Sequence, residues 1–142
     1  MTIAVPPEEK ADRLNRLLTV TLLRVAGVCL FMLGVETWIR LVGIYDGPLN
    51  RFDLMPLWWK IAAPALAVLY PVAGVGLWMA VSWGAVTWAI VAAVEIIMHV
   101  VFPELFGGVT LLVILHISGL SLLLVLRLID WWVTRQRLHR RG

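Results

Sequence analysis

Several ionisable residues lie within stretches of this 142-residue chain that are otherwise apolar, and five of them could form one cluster: Glu36, Arg40, Glu95, His99 and His116. Ionisable side chains are costly at membrane depth, and they commonly mark proton paths, ligand sites or buried polar pairs. Imidazole and carboxylate groups exchange protons, bind divalent metals and, for histidine, ligate haem iron. These residue types therefore allow proton, metal or haem chemistry, provided that the elements carrying them bring them together.

The spacing of these residues predicts a shared depth. Glu36 and Glu95 each precede the end of an apolar stretch by about seven residues, and His116 follows the start of another by about seven, which is about 10 Å at the rise of a helix. Arg40 and His99 lie one turn above Glu36 and Glu95. We call these five residues the predicted polar cluster. Four interpretations stay open for it: a polar network that sets helix register, a proton or ligand site, a metal site and a haem site.

The composition determines which elements must carry this cluster. Hydrophobic residues make up 61% of the chain and charged residues 15%, against about 45–50% and about 25% in soluble domains. A domain of this size cannot bury so much apolar surface by itself. This excludes a soluble enzyme, a disordered chain and a disulfide scaffold, and Cys29 is the only cysteine. The prediction is an integral membrane protein.

Four stretches are long enough to cross a bilayer as helices. Turn-forming residues separate them, and short connections make consecutive helices antiparallel. The predicted fold is all-α, an up-down-up-down four-helix bundle between a polar tail and a basic tail. The predicted tails are residues 1–16 and 133–142, and the predicted helices within the 17–132 domain are 17–43, 57–81, 83–102 and 109–132.

Lysine and arginine predict the orientation of this bundle. With both termini on one side, that side carries nine of these residues and the other carries three: Arg40, Arg51 and Lys60. The positive-inside rule then places both termini in the cytoplasm. The basic residues of the C-terminal tail are predicted to anchor it to lipid headgroups; they are Arg135, Arg137, Arg140 and Arg141. The positive charge therefore implies membrane lipids as partners and no nucleic acid.

Two loops on the opposite side mix aromatic and charged residues. They could meet over the bundle, where Arg51 is expected to pair with Glu104. Two interpretations of these loops stay open: a cap packed on the membrane interface, and a docking surface for a partner. The residues of this predicted outer-loop surface are Arg51, Phe52, Asp53, Phe102, Glu104 and Phe106.

Several short strings carry a family resemblance: WIRLVGI at 38–44, RFDLMP at 51–56, GLWM at 76–79 with WG at 83–84, and FPELFG at 102–107. Over residues 17–128 the chain resembles an uncharacterised family of small four-helix membrane proteins of bacteria. The resemblance implies a fold and a bacterial inner membrane, but no activity. The chain is more distantly similar to the DoxX-like proteins, some of which are tied to quinone-linked oxidation, through bundle size and a Gly-rich second helix.

Two functions remain as hypotheses. The first is a non-enzymatic structural or accessory subunit that associates with itself or with a larger inner-membrane complex. The alternative is a redox or proton-handling component, with a proton, quinone or haem site built from Glu36, Glu95 and His116. The sequence contains no phosphate-binding loop, Cys-x-x-Cys, His-Glu-x-x-His or nucleophile elbow. It therefore assigns no catalytic residue, metal ligand or cofactor, and leaves enzymatic activity undecided.

Overall fold

The computed structural model describes residues 7–141, with side chains described for residues 9–136 and 138. Every regular element in this part of the chain is helical. The elements are α1 (Pro7–Val42), α2 (Leu57–Trp78), α3 (Ser82–Ile96), a π-helical segment (Ile97–Val101), α4 (Pro103–Phe106) and α5 (Leu111–Arg141). Four helical stretches are long and apolar enough to cross a membrane: Glu9–Val42, Leu57–Trp78, Ser82–Val101 and Leu111–Gln136.

Helices α1 and α5 extend into the two predicted tails where the structure describes them. Helix α1 begins at Pro7 and α5 continues to Arg141, so helix extends well beyond the predicted spans 17–43 and 109–132. The reason is local, because proline suits the first turn of a helix and acidic residues such as Glu9 favour its N-terminus. Arginine likewise favours helix and its C-terminal end. Residues 1–6 lie outside the described part of the chain.

Glycines allow α2 to lie unusually close to its neighbours. A Cβ atom on Gly27 of α1 would lie 2.8 Å from the carbonyl oxygen of Gly74 in α2, and one on Gly34 would lie 2.6 Å from Cδ of Pro71. A Cβ atom on Gly84 of α3 would lie 2.6 Å from the carbonyl oxygen of Gly76. Both interfaces therefore depend on the absence of a side chain, as expected for helices that associate in lipid.

Trp38 connects α1 to α2 at a position where proline leaves a carbonyl unpaired. Pro71 has no N–H group to donate to the carbonyl of Ala67 four residues earlier. The indole Nε1 of Trp38 donates to that oxygen instead, at 2.9 Å. Ala67 is fully buried, so this bond satisfies an acceptor that water cannot reach.

The core lies where α2 and α3 meet α1 and α5. Among the described residues, three polar or charged side chains are buried within this core: Glu95, His99 and His116. Its apolar part is a cluster of Leu23, Leu30, Leu66, Tyr70, Ala73, Leu77, Trp88, Val91, Met98 and Leu123. The fold thus places two of the buried polar side chains near the end of the third apolar stretch and one near the start of α5.

Candidate functional site

Glu95 is the most deeply buried ionisable residue described, with 2% of its surface exposed. The hydroxyl of Tyr70, on α2, donates a hydrogen bond to its Oε1. Its Oε2 has no hydrogen-bond partner in the structure. A buried carboxylate oxygen without a donor is costly, which singles Oε2 out as the atom most in need of a proton or another donor.

His99 lies beside this carboxylate and has a defined tautomer. Its Nδ1 is 3.1 Å from the backbone carbonyl of Glu95 and 3.4 Å from Oε2 of the same residue. A carbonyl only accepts, so Nδ1 carries the hydrogen and Nε2 keeps its lone pair in the neutral ring. His99 belongs to the π-helical segment, a distortion that often accompanies functional sites.

Glu36 and Arg40 line the same cavity as Tyr70, Glu95 and His99. The guanidinium of Arg40 donates to Oε1 of Glu36 at 2.5 Å, and both side chains are about half exposed, at 44% and 53%. We call this space, of about 220 Å³, the Glu95 cavity. It has one buried acidic group and one exposed ion pair in its wall, and the rest of its wall is mostly apolar.

His116 does not line the Glu95 cavity. It lines a second space of about 330 Å³ between α1 and α5, together with Cys29, Trp88 and Gly119. Trp88 donates through Nε1 to Nδ1 of His116 at 3.0 Å, and Nε2 of His116 is buried without a partner. We call this space the His116 cavity. Leu33 and Leu112 line both cavities, so the predicted cluster is divided between two adjacent sites.

The arrangement limits which metal chemistry the histidines allow. The Trp88 N–H group can only donate, so it occupies the lone pair of Nδ1 and leaves the hydrogen of neutral His116 on Nε2. An imidazole in this state has no free lone pair for a metal ion. Among the described residues, no group of three or more His, Cys, Asp or Glu side chains could hold a metal ion.

The predicted outer-loop surface is partly internal. Arg51 donates to both carboxylate oxygens of Asp53, at 3.2 and 2.9 Å, so the expected pairing with Glu104 is wrong. These hydrogen bonds hold the pKa of Asp53 below its ordinary value of 3.8. Phe106 packs edge-on against Trp59 of α2, with ring centroids 5.3 Å apart. Phe52, Phe102 and Glu104 are exposed.

The predicted headgroup anchors lie on the last turns of α5. The guanidinium of Arg135 lies 5.0 Å from the ring centroid of Trp131, a contact that holds its charge beside an aromatic face. The side chains of Arg137, Arg140 and Arg141 lie outside the described residues. Nearby, the side-chain amide of Asn15 donates to the carbonyl of Leu126 at 3.2 Å and joins the start of α1 to α5.

Two residues of these sites were not among the predicted site residues. Tyr70 and Trp88 each donate a hydrogen bond to a predicted polar residue. A signal was available, because a buried tyrosine or tryptophan in a span needs a partner for its O–H or N–H group. Tyr70 is one of only two tyrosines in the chain. The partner itself could not be identified, since it lies on another helix.

Comparison with known proteins gives a family. Residues 17–134 match the model of a family of unknown function, DUF6163. The chain belongs to this family. The DUF6163 match contains the candidate spans Leu57–Trp78 and Ser82–Val101 whole and most of the other two, and it includes every residue that lines the two cavities. It does not support the similarity to DoxX-like proteins or a bacterial origin. No curated protein and no solved structure matches the chain.

Proposed function

We propose that this protein handles protons in a membrane, and that Glu95 and His99 bind and release the proton. The observation that carries the proposal is the burial of Glu95 beside His99 and Tyr70 in the wall of one cavity. Intramembrane carboxylate and histidine pairs are typical of proton relays. Burying the polar side chains of Glu95, His99 and Tyr70 costs free energy, so we expect them to have a use beyond packing.

The proton would bind at either of two atoms. Tyr70 occupies Oε1 of Glu95 as a donor, which leaves Oε2 to take a proton and become neutral. The second atom is Nε2 of His99, and the protonated ring would then be positively charged beside the carboxylate. Oε2 lies beside Nδ1 of His99, which already carries a hydrogen, so transfer to Nε2 requires rotation of a side chain or an intervening water within the Glu95 cavity. Glu36, which is half exposed in its wall and paired with Arg40, would exchange the proton with the surroundings.

The membrane arrangement belongs to the same proposal. The four candidate spans would form an up-down-up-down bundle in a bacterial inner membrane, with both termini in the cytoplasm. The nine basic residues on the terminal side, against three on the other, support this orientation. The Glu95 cavity then opens toward the outer side. Reporter fusions after residue 142 and within the 43–56 loop should report opposite compartments.

An infrared measurement tests directly whether Glu95 binds a proton. Infrared difference spectra of the purified protein between acidic and alkaline pH should contain the carbonyl stretch of a buried protonated carboxylic acid. Glu95→Gln should remove that band, whereas Glu104→Gln, at an exposed residue of α4, should leave it. A band that survives in Glu95→Gln, or no band in the wild-type protein, would overturn the proposal.

A non-enzymatic subunit of a larger membrane complex, or a homo-oligomer, is the second candidate. The exposure of Phe52 and Phe102 in the outer loops, at 44% and 49%, favours it, because exposed aromatic residues are common at protein interfaces. Purification in mild detergent should then recover partners that a Phe52→Ser, Phe102→Ser variant loses. Haem colour or extracted quinone in the purified protein would instead indicate a redox component.

A further inference from the structure

We propose that the His116 cavity binds a membrane-soluble molecule with a carbonyl oxygen on an apolar body. The carbonyl oxygen would accept a hydrogen bond from Nε2 of His116. This site is separate from the proton site proposed above, and neither depends on the other. Three features of the cavity carry the inference: an unpaired donor, an apolar wall of suitable size, and the depth of the donor in its helix.

The donor is defined by Trp88. Its indole N–H group donates to Nδ1 of His116 and so keeps the hydrogen of the neutral ring on Nε2. That Nε2–H group is buried and has no partner, and His116 is only 3% exposed. An unpaired buried donor is destabilising, and an acceptor on a ligand would remove this cost. A metal ion would not, because it needs a lone pair on Nε2.

The wall of the cavity selects an apolar body. Apart from His116, Ser118 and the indole of Trp88, its lining is aliphatic or small. Its volume of about 330 Å³ is at the lower end of the range for small-molecule sites. Gly119 lets the Trp88 ring pack closely, since a Cβ atom there would lie 2.8 Å from the indole.

The depth of His116 favours a free molecule over a phospholipid ester. His116 follows Leu111, the first residue of α5 and of the fourth candidate span, by five positions, which is about 7.5 Å at about 1.5 Å per residue. Phospholipid ester carbonyls stay in the interfacial region outside the hydrocarbon core. A molecule that dissolves in the hydrocarbon region can bring its carbonyl to this depth, so we commit to such a ligand.

Benzophenone and diphenylmethane form a matched pair of probes, because they differ in shape mainly by a carbonyl oxygen. Benzophenone also inserts into nearby C–H bonds when irradiated, so peptide mass spectrometry can locate it on the full-length protein in detergent. Labels are expected on the wall of the His116 cavity, including Leu115 and Leu122. In competition against photolabelling by isotope-labelled benzophenone, diphenylmethane should be about three- to tenfold weaker than unlabelled benzophenone. This factor follows from the usual strength of one hydrogen bond in a membrane protein.

Variants and a second measurement make the test decisive. His116→Phe should abolish the preference for benzophenone, whereas His116→Gln, which retains an N–H donor, should keep part of it. Nitrogen-15 NMR of the wild-type histidines should show the hydrogen of His116 on Nε2 and a shift of that signal with benzophenone. Equal competition by both probes, labels spread over the lipid-facing sides, or displacement by added phosphatidylethanolamine would overturn the proposal. So would a hydrogen on Nδ1.

Discussion

The hydrogen bond between Tyr70 and Glu95 should be measurable as a coupling energy. Tyr70→Phe removes the only described donor to Oε1 of Glu95. Both side chains are almost fully buried, at 3% and 2% exposed, so water cannot replace the lost hydroxyl without rearrangement. Leaving a buried acceptor unpaired costs about 1–3 kcal/mol, and more if it is charged. Hydrogen bonds between membrane helices average about 0.6 kcal/mol, with a maximum of about 1.7.

From these ranges we expect Tyr70→Phe to lower the free energy of unfolding by about 1–2 kcal/mol. The double-mutant cycle uses Glu95→Met, which removes the acceptor and keeps the volume similar. In the Met background, Tyr70→Phe should cost much less, because no carboxylate is left unpaired. Unfolding is followed by far-ultraviolet circular dichroism as sodium dodecyl sulfate is added to protein in mixed micelles.

Tyr45→Phe is the matched control, since Tyr45 is exposed, at 58%, and should change stability by less than about 0.5 kcal/mol. The reasoning would be refuted if Tyr70→Phe cost the same in the wild-type and Met backgrounds, within about 0.5 kcal/mol. The two substitutions would then be additive and the hydroxyl would not interact with the carboxylate.

Three further outcomes are expected from the contacts. Trp38→Phe should cost about 0.5–2 kcal/mol in the same unfolding assay, because the buried carbonyl that it serves in α2 would lose its donor. Gly84→Ala should cost about 1–3 kcal/mol by forcing α3 away from α2, whereas Gly108→Ala should not, since a Cβ atom there meets nothing within 4 Å. Arg51→Gln should return the pKa of Asp53 toward 3.8 in carboxyl NMR titrations, since the hydrogen bonds from Arg51 lower it. That pair stabilises the native state above pH 3.8 and is lost as pH falls through the lowered pKa, so an unchanged Asp53 pKa would contradict the assigned pairing.

The positions of the four spans could be predicted from the sequence because they depend on local properties. A run of apolar residues long enough to cross the hydrocarbon layer must pair its own backbone N–H and C=O groups, because lipid offers no partners. Unless the chain forms a β-barrel, only a helix does this. A tight connection between the second and third spans was also predicted, but at residues 82–84, which lie in α3; the structure has it at residues 79–81. The ends of α1 and α5 were not predicted, since polar residues continue a helix as readily as they form a tail.

The sequence alone also predicts a shared depth for the polar residues, because the distance along a helix follows from the rise per residue. The direction in which each side chain faces could not be predicted. Successive side chains on a helix point roughly 100° apart, and the rotation of a whole helix is set by the helices packed against it. Only the packed structure turns Glu95 toward Tyr70 and His116 toward Trp88. Residues at one predicted depth are thereby divided between two cavities, since helix rotation depends on packing between helices distant in sequence.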